Sequence, residues 1–496
     1  MQARAILAAV SCLSLISSVV APCFGQATSM TSATAAEPPS TARAAPKAPL
    51  ELTELQVPPL PSDLPAIVPT DRPIGLDEAI GIALANEPEL ALAQHTSEAA
   101  RGRVRQAASA LYPTLSIAAQ HTRTGPAAGG QAGGVGSTFT VGGYTTNLSA
   151  RELIYDFGKT PGSVGQARSQ AESARQALAQ ARQDVVNQVK QAYYTLLQNQ
   201  ELVAVQQRTL ADQRAHFDLA TARFDAGVAP RVDVVRAEAA VADAVLNLAT
   251  AENSAAVSRI DLNLALGADV RTPTKVQQTE ESAPLLPDAG ALVEQAFASR
   301  PAVQQVRAGV AAAQHALAAA RATNLPAVVL NGNYGLRGSS FPPDDGSWSY
   351  GVSLQWPLVD FGLTRGRVQE AEANLLAAQT QLRQQQDSVA SQVVRAYLNT
   401  QTAGQKVTAA ASSVASGEES LRLAVGRYGS GVAVYLEVID AETAAITARV
   451  NLVNARYGLS TALASLAQAL GIEYQAQASP TTPGIAPSGT PKETSR

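Results

Sequence analysis

The chain has 496 residues, of which 46% are hydrophobic, 4% aromatic and 16% charged, and its formal net charge is −4. A typical soluble protein carries about 25% charged residues, and no block of Lys or Arg offers the basic surface that phosphate binding needs, which argues against a nucleic-acid partner. The two cysteines lie near the N-terminus and the four histidines are scattered. We therefore expect neither a metal centre nor a disulfide framework, and no cofactor.

The first 27 residues have the pattern of an export signal. Arg4 is followed by an apolar stretch from Ala5 to Val20, and Gly25-Gln26-Ala27 supplies the small residues that precede a cleavage point. Two other interpretations remain open. Pro22 shortens the stretch that a membrane anchor would need, and the same proline stands unfavourably before Cys23, the residue that a lipoprotein signal would modify.

Composition divides the remaining chain into a repeated centre and two polar ends. Residues 28–73 form an Ala/Pro-rich lead-in, and residues 475–496 form a tail of similar composition that we predict to be disordered. The sequence between them is an internal duplication, with a first repeat over residues 74–271 and a second over residues 285–474. The duplication predicts two copies of one structural unit.

Two motifs establish the duplication. Asp156-Phe157-Gly158 recurs as Asp360-Phe361-Gly362, and the run from Arg223 to Ala229 recurs from Arg427 to Ala433, both at an offset of 204 residues. Upstream pairs are offset by 213 residues, so the first copy carries extra residues, which fall around the glycine-rich run Gly129–Gly136. Glycine-rich runs are typical of loops, and we place the insertion in one.

After each Asp-Phe-Gly motif the sequence becomes rich in strong helix formers. Small and apolar residues then recur at alternating steps of four and three, which predicts a coiled-coil seam between closely packed helices. The first copy supplies Val185, Val189, Ala192, Leu196, Val203 and Leu210, and the second supplies Val389, Val393, Ala396, Thr400, Ala403, Val407, Ala410 and Val414. A helix from about Gly158 to Phe224 would be roughly 100 Å long.

A different period, of two residues, occupies one segment of each repeat. We predict β-hairpins at about residues 113–154 and 326–358, with apolar side chains on one face and small or polar ones on the other. Trp348 and Trp356 both lie on the apolar face, near opposite ends of one strand, as membrane-interface aromatics do. Strand length and pattern favour a transmembrane hairpin, while a sheet edge in water remains the alternative.

Four strands per chain cannot close a barrel, and an open edge in lipid leaves backbone groups unsatisfied. Two chains would give eight strands and a filled interior, whereas three would give twelve strands and a lumen. We therefore predict a mainly α fold with a small transmembrane β part, in which several chains pool their strands in one barrel and the helices continue the tube below the membrane.

With its duplication, Asp-Phe-Gly junctions and two turn motifs, the sequence from about Ile74 to Tyr474 resembles the outer membrane factor family, the TolC-like outer membrane efflux proteins. The resemblance implies a homotrimer in the outer membrane of a Gram-negative bacterium, with a large periplasmic part. In the implied fold, four strands from each chain form a 12-stranded β-barrel, which continues a long antiparallel α-helical barrel. It also implies a passive duct for tripartite efflux or type I secretion, gated at its periplasmic tip. The implied partners are a periplasmic adaptor protein, an inner-membrane pump and outer membrane lipid.

The two turn motifs supply the candidate site. Gly227 and Gly431 permit the positive φ that reverses a helix, and Pro230 suits the first position of the returning helix. By resemblance, these turns meet the adaptor, and the contact candidates are Arg223, Gly227, Val228, Arg427, Gly431 and Val432.

Acidic residues follow the second turn. Glu437 and Asp440 are spaced i, i+3 and share a helix face, and a threefold axis would turn them into two carboxylate rings. By resemblance they line the narrowest point of the tunnel and favour cations; a solvated helix face is the alternative. Their first-copy equivalents are Asp233 and Arg236, and we hypothesise that Arg236 pairs with an acidic neighbour and holds the resting tunnel shut.

No Walker, Gly-x-Ser-x-Gly or His-Glu-x-x-His motif is present, and we expect no enzyme. The alternative function is a non-conducting periplasmic or surface coiled-coil scaffold. It would explain the helices but neither the recurring hairpin nor the carboxylates beside the turn.

Overall fold

The computed structural model describes residues 72–124, 141–279 and 287–472. Several sequence predictions lie outside the described residues. They are the signal peptide at 1–27 with Cys23, nearly all of the lead-in at 28–73, the glycine-rich run Gly129–Gly136 and the tail at 475–496.

Each repeat contains two shorter helices, a β-hairpin, a very long helix and a returning helix, in the same order. The helices of the first copy are α1 (Leu76–Asn86), α2 (Pro88–Ser109), α3 (Lys159–Asp225) and α4 (Arg231–Ala265). Those of the second copy are α5 (Ala289–Ser299), α6 (Pro301–Arg321), α7 (Leu363–Gly429) and α8 (Tyr435–Leu470). Helices α3 and α7 each have 67 residues, which corresponds to roughly 100 Å. Among the described helices, none is both long enough and apolar enough to cross a bilayer.

The two hairpins join into one antiparallel sheet in the order β1-β2-β3-β4. Its strands are β1 (Thr114–Thr124), β2 (Val141–Tyr155), β3 (Ala327–Gly338) and β4 (Asp345–Gln355). Strands β2 and β3 connect the copies, with Tyr144 opposite Gly338 and Tyr155 opposite Val328. Strands β1 and β4 are the edges, and neither has a second partner among the described residues.

One face of this sheet presents large apolar side chains to the surroundings. The exposed set is Leu115, Ile117, Tyr334, Trp348, Tyr350, Val352 and Leu354. Trp356 differs from the sequence expectation because it lies one residue beyond β4, where its Nε1–H donates to the carbonyl of Asn324 at 3.1 Å. Trp348 thus belongs to the strand, whereas Trp356 belongs to the junction after it.

Each Asp-Phe-Gly motif links the second strand of a hairpin to the long helix that follows it. Phe157 and Gly158 have φ values of 55° and 102°, which break the strand, and the carboxylate of Asp156 accepts the N–H of Thr160 at 2.7 Å. That bond satisfies one of the N–H groups that a helix start leaves free. The second junction repeats the contact, because the N–H of Thr364 donates to the carboxylate of Asp360 at 2.8 Å.

Two apolar cores hold the helices together. The first joins α1, α3, α4 and α8 around Tyr193, Tyr194 and Leu197, and the second joins α5, α6, α7 and α8 around Val303 and Val393. The hydroxyl of Tyr193 donates to the carbonyl of Gln277 at 2.6 Å, and burial raises its pKa. This contact anchors the segment after α4 against α3.

Helices α3 and α6 approach closely at a glycine. A Cβ built on Gly162 would lie 2.9 Å from the Cβ of Ala319 and 3.0 Å from its backbone nitrogen. Backbone atoms cannot move aside as a flexible side chain does, so this crossing requires glycine.

We expect Gly162→Ala to lower the free energy of unfolding by about 1–3 kcal/mol, because overpacking forces the helices apart. The matched control is Gly309→Ala in α6, where an added Cβ meets nothing within 4 Å and where alanine should stabilise the helix by about 0.5–1 kcal/mol. Thermal unfolding followed by circular dichroism measures both. Equal melting temperatures for the two variants would contradict the packing argument.

Candidate functional site

The candidate site consists of the two helix reversals, here named tip 1 (residues 223–233) and tip 2 (residues 427–440). Gly227 and Gly431 have φ values of 72° and 79°. Just after them, the N–H of Val228 reaches the carbonyl of Arg223 at 3.0 Å, and tip 2 repeats the contact at 3.0 Å. These are the positive-φ helix ends that the glycines predict. Pro230 differs by one position: it precedes α4 as the N-cap residue, and Arg231 is the first helical residue.

Arg223 joins tip 1 to tip 2. Its Nη1 donates to the carbonyls of Tyr428 and Gly429, each at 2.9 Å, and its guanidinium carbon lies 4.8 Å from the centre of the Tyr428 ring. A cation is favourable at a helix C-terminus and over an aromatic face. The guanidinium is therefore engaged inside the chain, and its predicted contact with an adaptor stays a prediction.

Asp233 lies inside this tip assembly, with 8% of its surface exposed. The hydroxyl of Tyr428 donates to its Oδ2 at 3.4 Å. Tyr435 packs beside Tyr428, with ring centres 5.3 Å apart, in a small apolar cluster that also contains Ala220 and Val438. Burial, followed by the neighbouring Tyr428 and Asp233, raises the pKa of Tyr435 to about 12.

The acidic residues after tip 2 have different surroundings. Glu437 forms an ion pair with Arg427, at 3.1 Å between Oε2 and Nη1, while Asp440 is exposed. Arg236 is also exposed and makes no ion pair with any residue that the structure describes. The acidic partner hypothesised for Arg236 would have to lie outside the described residues of this chain or belong to another chain.

The structure thus brings Arg223 and Asp233 together through Tyr428, and Arg427 together with Glu437. Gly227, Val228, Gly431 and Val432 are exposed at the reversals. Sequence reasoning missed Tyr428 and Tyr435 as members of the site. The signal for Tyr428 was present in the repeat, because the tip motif has a phenylalanine in its first copy and a tyrosine in its second.

A further polar contact crosses from α3 to α8. Glu442 is almost fully buried, and its Oε2 lies 3.4 Å from Nε2 of His216. Arg449, also in α8, forms ion pairs with Glu418 of α7 at 3.0 Å and with Asp212 of α3 at 3.7 Å. The interface between the two repeats therefore carries paired charges as well as apolar side chains.

Comparison with known proteins places this arrangement in context. The family model described as "Outer membrane efflux protein" matches residues 79–268 and 292–472. Protein CyaE of Bordetella pertussis is 29% identical over 78% of this chain and 82% of its own. Outer membrane protein OprJ of Pseudomonas aeruginosa is 27% identical over 80% of this chain and 84% of its own.

A solved structure has the same fold. The outer membrane protein VceC of Vibrio cholerae superposes with a TM-score of 0.71 at 22% identity, covering 80% of this chain and 96% of that one.

The raised pKa of Tyr435 predicts an alkaline weakness in the folded protein. A folded-state pKa of about 12 against an ordinary value of 10.0 means that folding favours the neutral phenol. Its contribution to stability is complete below pH 10.0 and is lost as the pH rises to about 12. We expect Tyr435→Phe to reduce the loss of melting temperature across this window. A decline identical to that of the parent chain would contradict the assignment.

Proposed function

The chain belongs to the outer membrane efflux protein family, and we propose that it is the exit duct of a tripartite efflux pump or a type I secretion system. As a member of this family it is a channel protein of the Gram-negative outer membrane, with a large helical part in the periplasm. The observation that carries the proposal is the four-stranded sheet, which has an exposed apolar face and, among the described strands, two free edges.

The exposed face of the sheet fits contact with lipid. In hydrocarbon, however, each unsatisfied backbone N–H or C=O costs several kcal/mol, and β1 and β4 each leave one row of such groups without a partner in the described chain. Pairing β4 of one chain with β1 of the next removes both edges. Three chains give a twelve-stranded barrel with room for a lumen, whereas two would give a filled one. The proposed assembly is a homotrimer.

The tips supply the proposed gate. The bonds from Arg223 to the end of α7, the contact between Tyr428 and Asp233, and the Arg427–Glu437 pair hold the helix ends together. Separation of these contacts would widen the periplasmic opening without any chemical step, so the duct is passive. The exposed valines and glycines of the reversals form the surface proposed for a periplasmic adaptor, which links the duct to an inner-membrane pump.

A non-conducting coiled-coil scaffold would have similar helices. It gives no reason for a sheet with large aromatic and aliphatic side chains on an exposed face, since such a patch in water favours aggregation. Selection of the cargo, whether drug, metal ion or protein, is assigned to the inner-membrane pump.

We expect the purified protein to form detergent-solubilised trimers by light scattering and to conduct ions in planar bilayers. The test of the tip carboxylates is the double variant Glu437→Gln/Asp440→Asn, which should lower the permeability of cations relative to anions severalfold because it removes two carboxylates from each protomer. The matched control is Glu370→Gln, an exposed acidic position of α7 outside the tips.

Two results would contradict the function. A stable, water-soluble monomer without detergent and without conductance would favour the scaffold. An unchanged permeability ratio in the double variant, with conductance intact, would support the channel but show that Glu437 and Asp440 do not line its constriction.

The gate yields its own prediction. Arg223→Ala removes two hydrogen bonds between tip 1 and tip 2, so we expect a higher conductance and more frequent openings in the same bilayer assay. Arg223→Lys keeps a charged donor for the same carbonyls and should lie close to the parent protein. Equal conductance of the alanine and parent proteins would show that this contact does not restrain the tip.

A further inference from the structure

The duplication relates the contact within one chain to a contact between chains. Helix α3 packs against α8, and the repeat offset carries α3 onto α7 and α4 onto α8. In a ring of alternating repeats, the counterpart of the α3/α8 contact is therefore α7 of one protomer against α4 of the next. This step rests on the trimer of the proposed function.

Exposure of matched residues supports the correspondence. Tyr194 of α3 is 0% exposed, whereas its counterpart in α7, Leu398, is 52% exposed. Ala464 of α8 is 4% exposed, whereas its counterpart in α4, Ile260, is 46% exposed. In each pair, the large apolar side chain is exposed at a position whose counterpart in the other repeat is buried. A second copy of this chain would cover these exposed side chains in the same way.

The same offset carries the Arg223 contact onto a new site. Arg223 corresponds to Arg427, and its acceptors Tyr428 and Gly429 correspond to Phe224 and Asp225. We propose that Arg427 of each protomer donates to the main-chain carbonyls of Phe224 and Asp225 of the partner subunit. The trimer tip is then closed by six guanidinium contacts, three within chains and three between them.

The acceptor is available for this bond. The carbonyl of Tyr428 accepts from the N–H of Gly431 at 3.0 Å and also from Arg223. The carbonyl of Phe224 accepts the equivalent N–H of Gly227 at 2.9 Å, and no guanidinium reaches it in the part of the chain that the structure describes. A carbonyl oxygen has two lone pairs, so one remains for Arg427, at a helix end where a cation is favourable.

The donor is also available. Arg427 uses Nη1 for its pair with Glu437, and its side chain is exposed. A guanidinium has five N–H donors, which suffice for one carboxylate and two carbonyls together. Glu437 thus orients Arg427, and the carbonyls of the neighbouring tip bind it.

The two kinds of contact differ in one respect. Within a chain, the hydroxyl of Tyr428 adds a bond to Asp233. The counterparts across the interface are Phe224 and Glu437, and phenylalanine has no hydroxyl. The contact between chains therefore depends more heavily on its arginine, and the ring of tips should part between protomers before it parts within them.

Cross-linking tests the position of the contact. In the full chain, the pair Arg427→Cys/Asp225→Cys should give covalent dimers and trimers with a short bismaleimide, on a denaturing gel. The pair Arg223→Cys/Gly429→Cys, which represents the contact within one chain, should give linked monomers. Monomer bands alone from the first pair, in protein that is trimeric by light scattering, would overturn the proposal.

Spin-label distances test the role of the guanidinium. With a nitroxide at Ala226→Cys in each protomer of the trimer, Arg427→Ala should lengthen and broaden the distance distribution between tips. Glu437→Gln, which removes the partner inside the chain, should leave the distribution much closer to the parent. Equal widening in both variants would show that the ion pair within the chain accounts for the effect, and no widening in Arg427→Ala would show that Arg427 does not restrain the tips. Either result would overturn the proposal. Absence of a trimer would instead refute the proposed function, and this contact with it.

Discussion

The hydrogen-bonding requirement of the backbone at the edges of a small sheet is the constraint on which the proposed assembly depends. The described chain provides four strands that pair with one another, and both free edges belong to the outermost strands, β1 and β4. In lipid such edges must be paired, so the chain is sufficient for a sheet and insufficient for a channel. The central pairing of β2 with β3 already joins one repeat to the other, and the proposed closure extends that relation around the ring.

The duplication explains why helix faces, like the sheet edges, are left without a partner in the described part of the chain. Each repeat contributes a reversed pair of helices, and the contact of α3 with α8 buries the side chains that fit one copy against the other. The remaining faces of α4 and α7 repeat this geometry without a partner in the described part of the chain. Differences between copies then break the symmetry. Phe224 against Tyr428, and Asp233 against Glu437, give two tips with the same backbone turn and different polar contacts.

Sequence periodicity was sufficient for features that depend on neighbours along the chain. The period of two residues located β3 and β4, the helix-forming composition located α3 and α7, and the glycines at positions 227 and 431 marked the reversals. It was not sufficient for contacts between distant segments. The acceptors of Arg223 lie in tip 2, in the other repeat, and no local pattern encodes that pairing. Trp356 shows that periodicity also misplaces the end of a strand. The alternation of apolar and small or polar residues continues to Trp356, whereas β4 ends at Gln355.

The gate proposed at the tips would have to be the weakest part of a stable structure, and the distribution of contacts agrees with that proposal. The two main cores contain large side chains at almost complete burial, including Tyr193 and Leu197. The tip cluster is smaller and consists of alanines, a valine and two tyrosines, supplemented by a few polar bonds at helix ends. Regions with few buried apolar contacts open at a lower free-energy cost than the global fold. In the proposed opening, the long helices would remain intact while their ends separate, because the bonds lost at the tips are not those that hold α3 and α7 in the two cores.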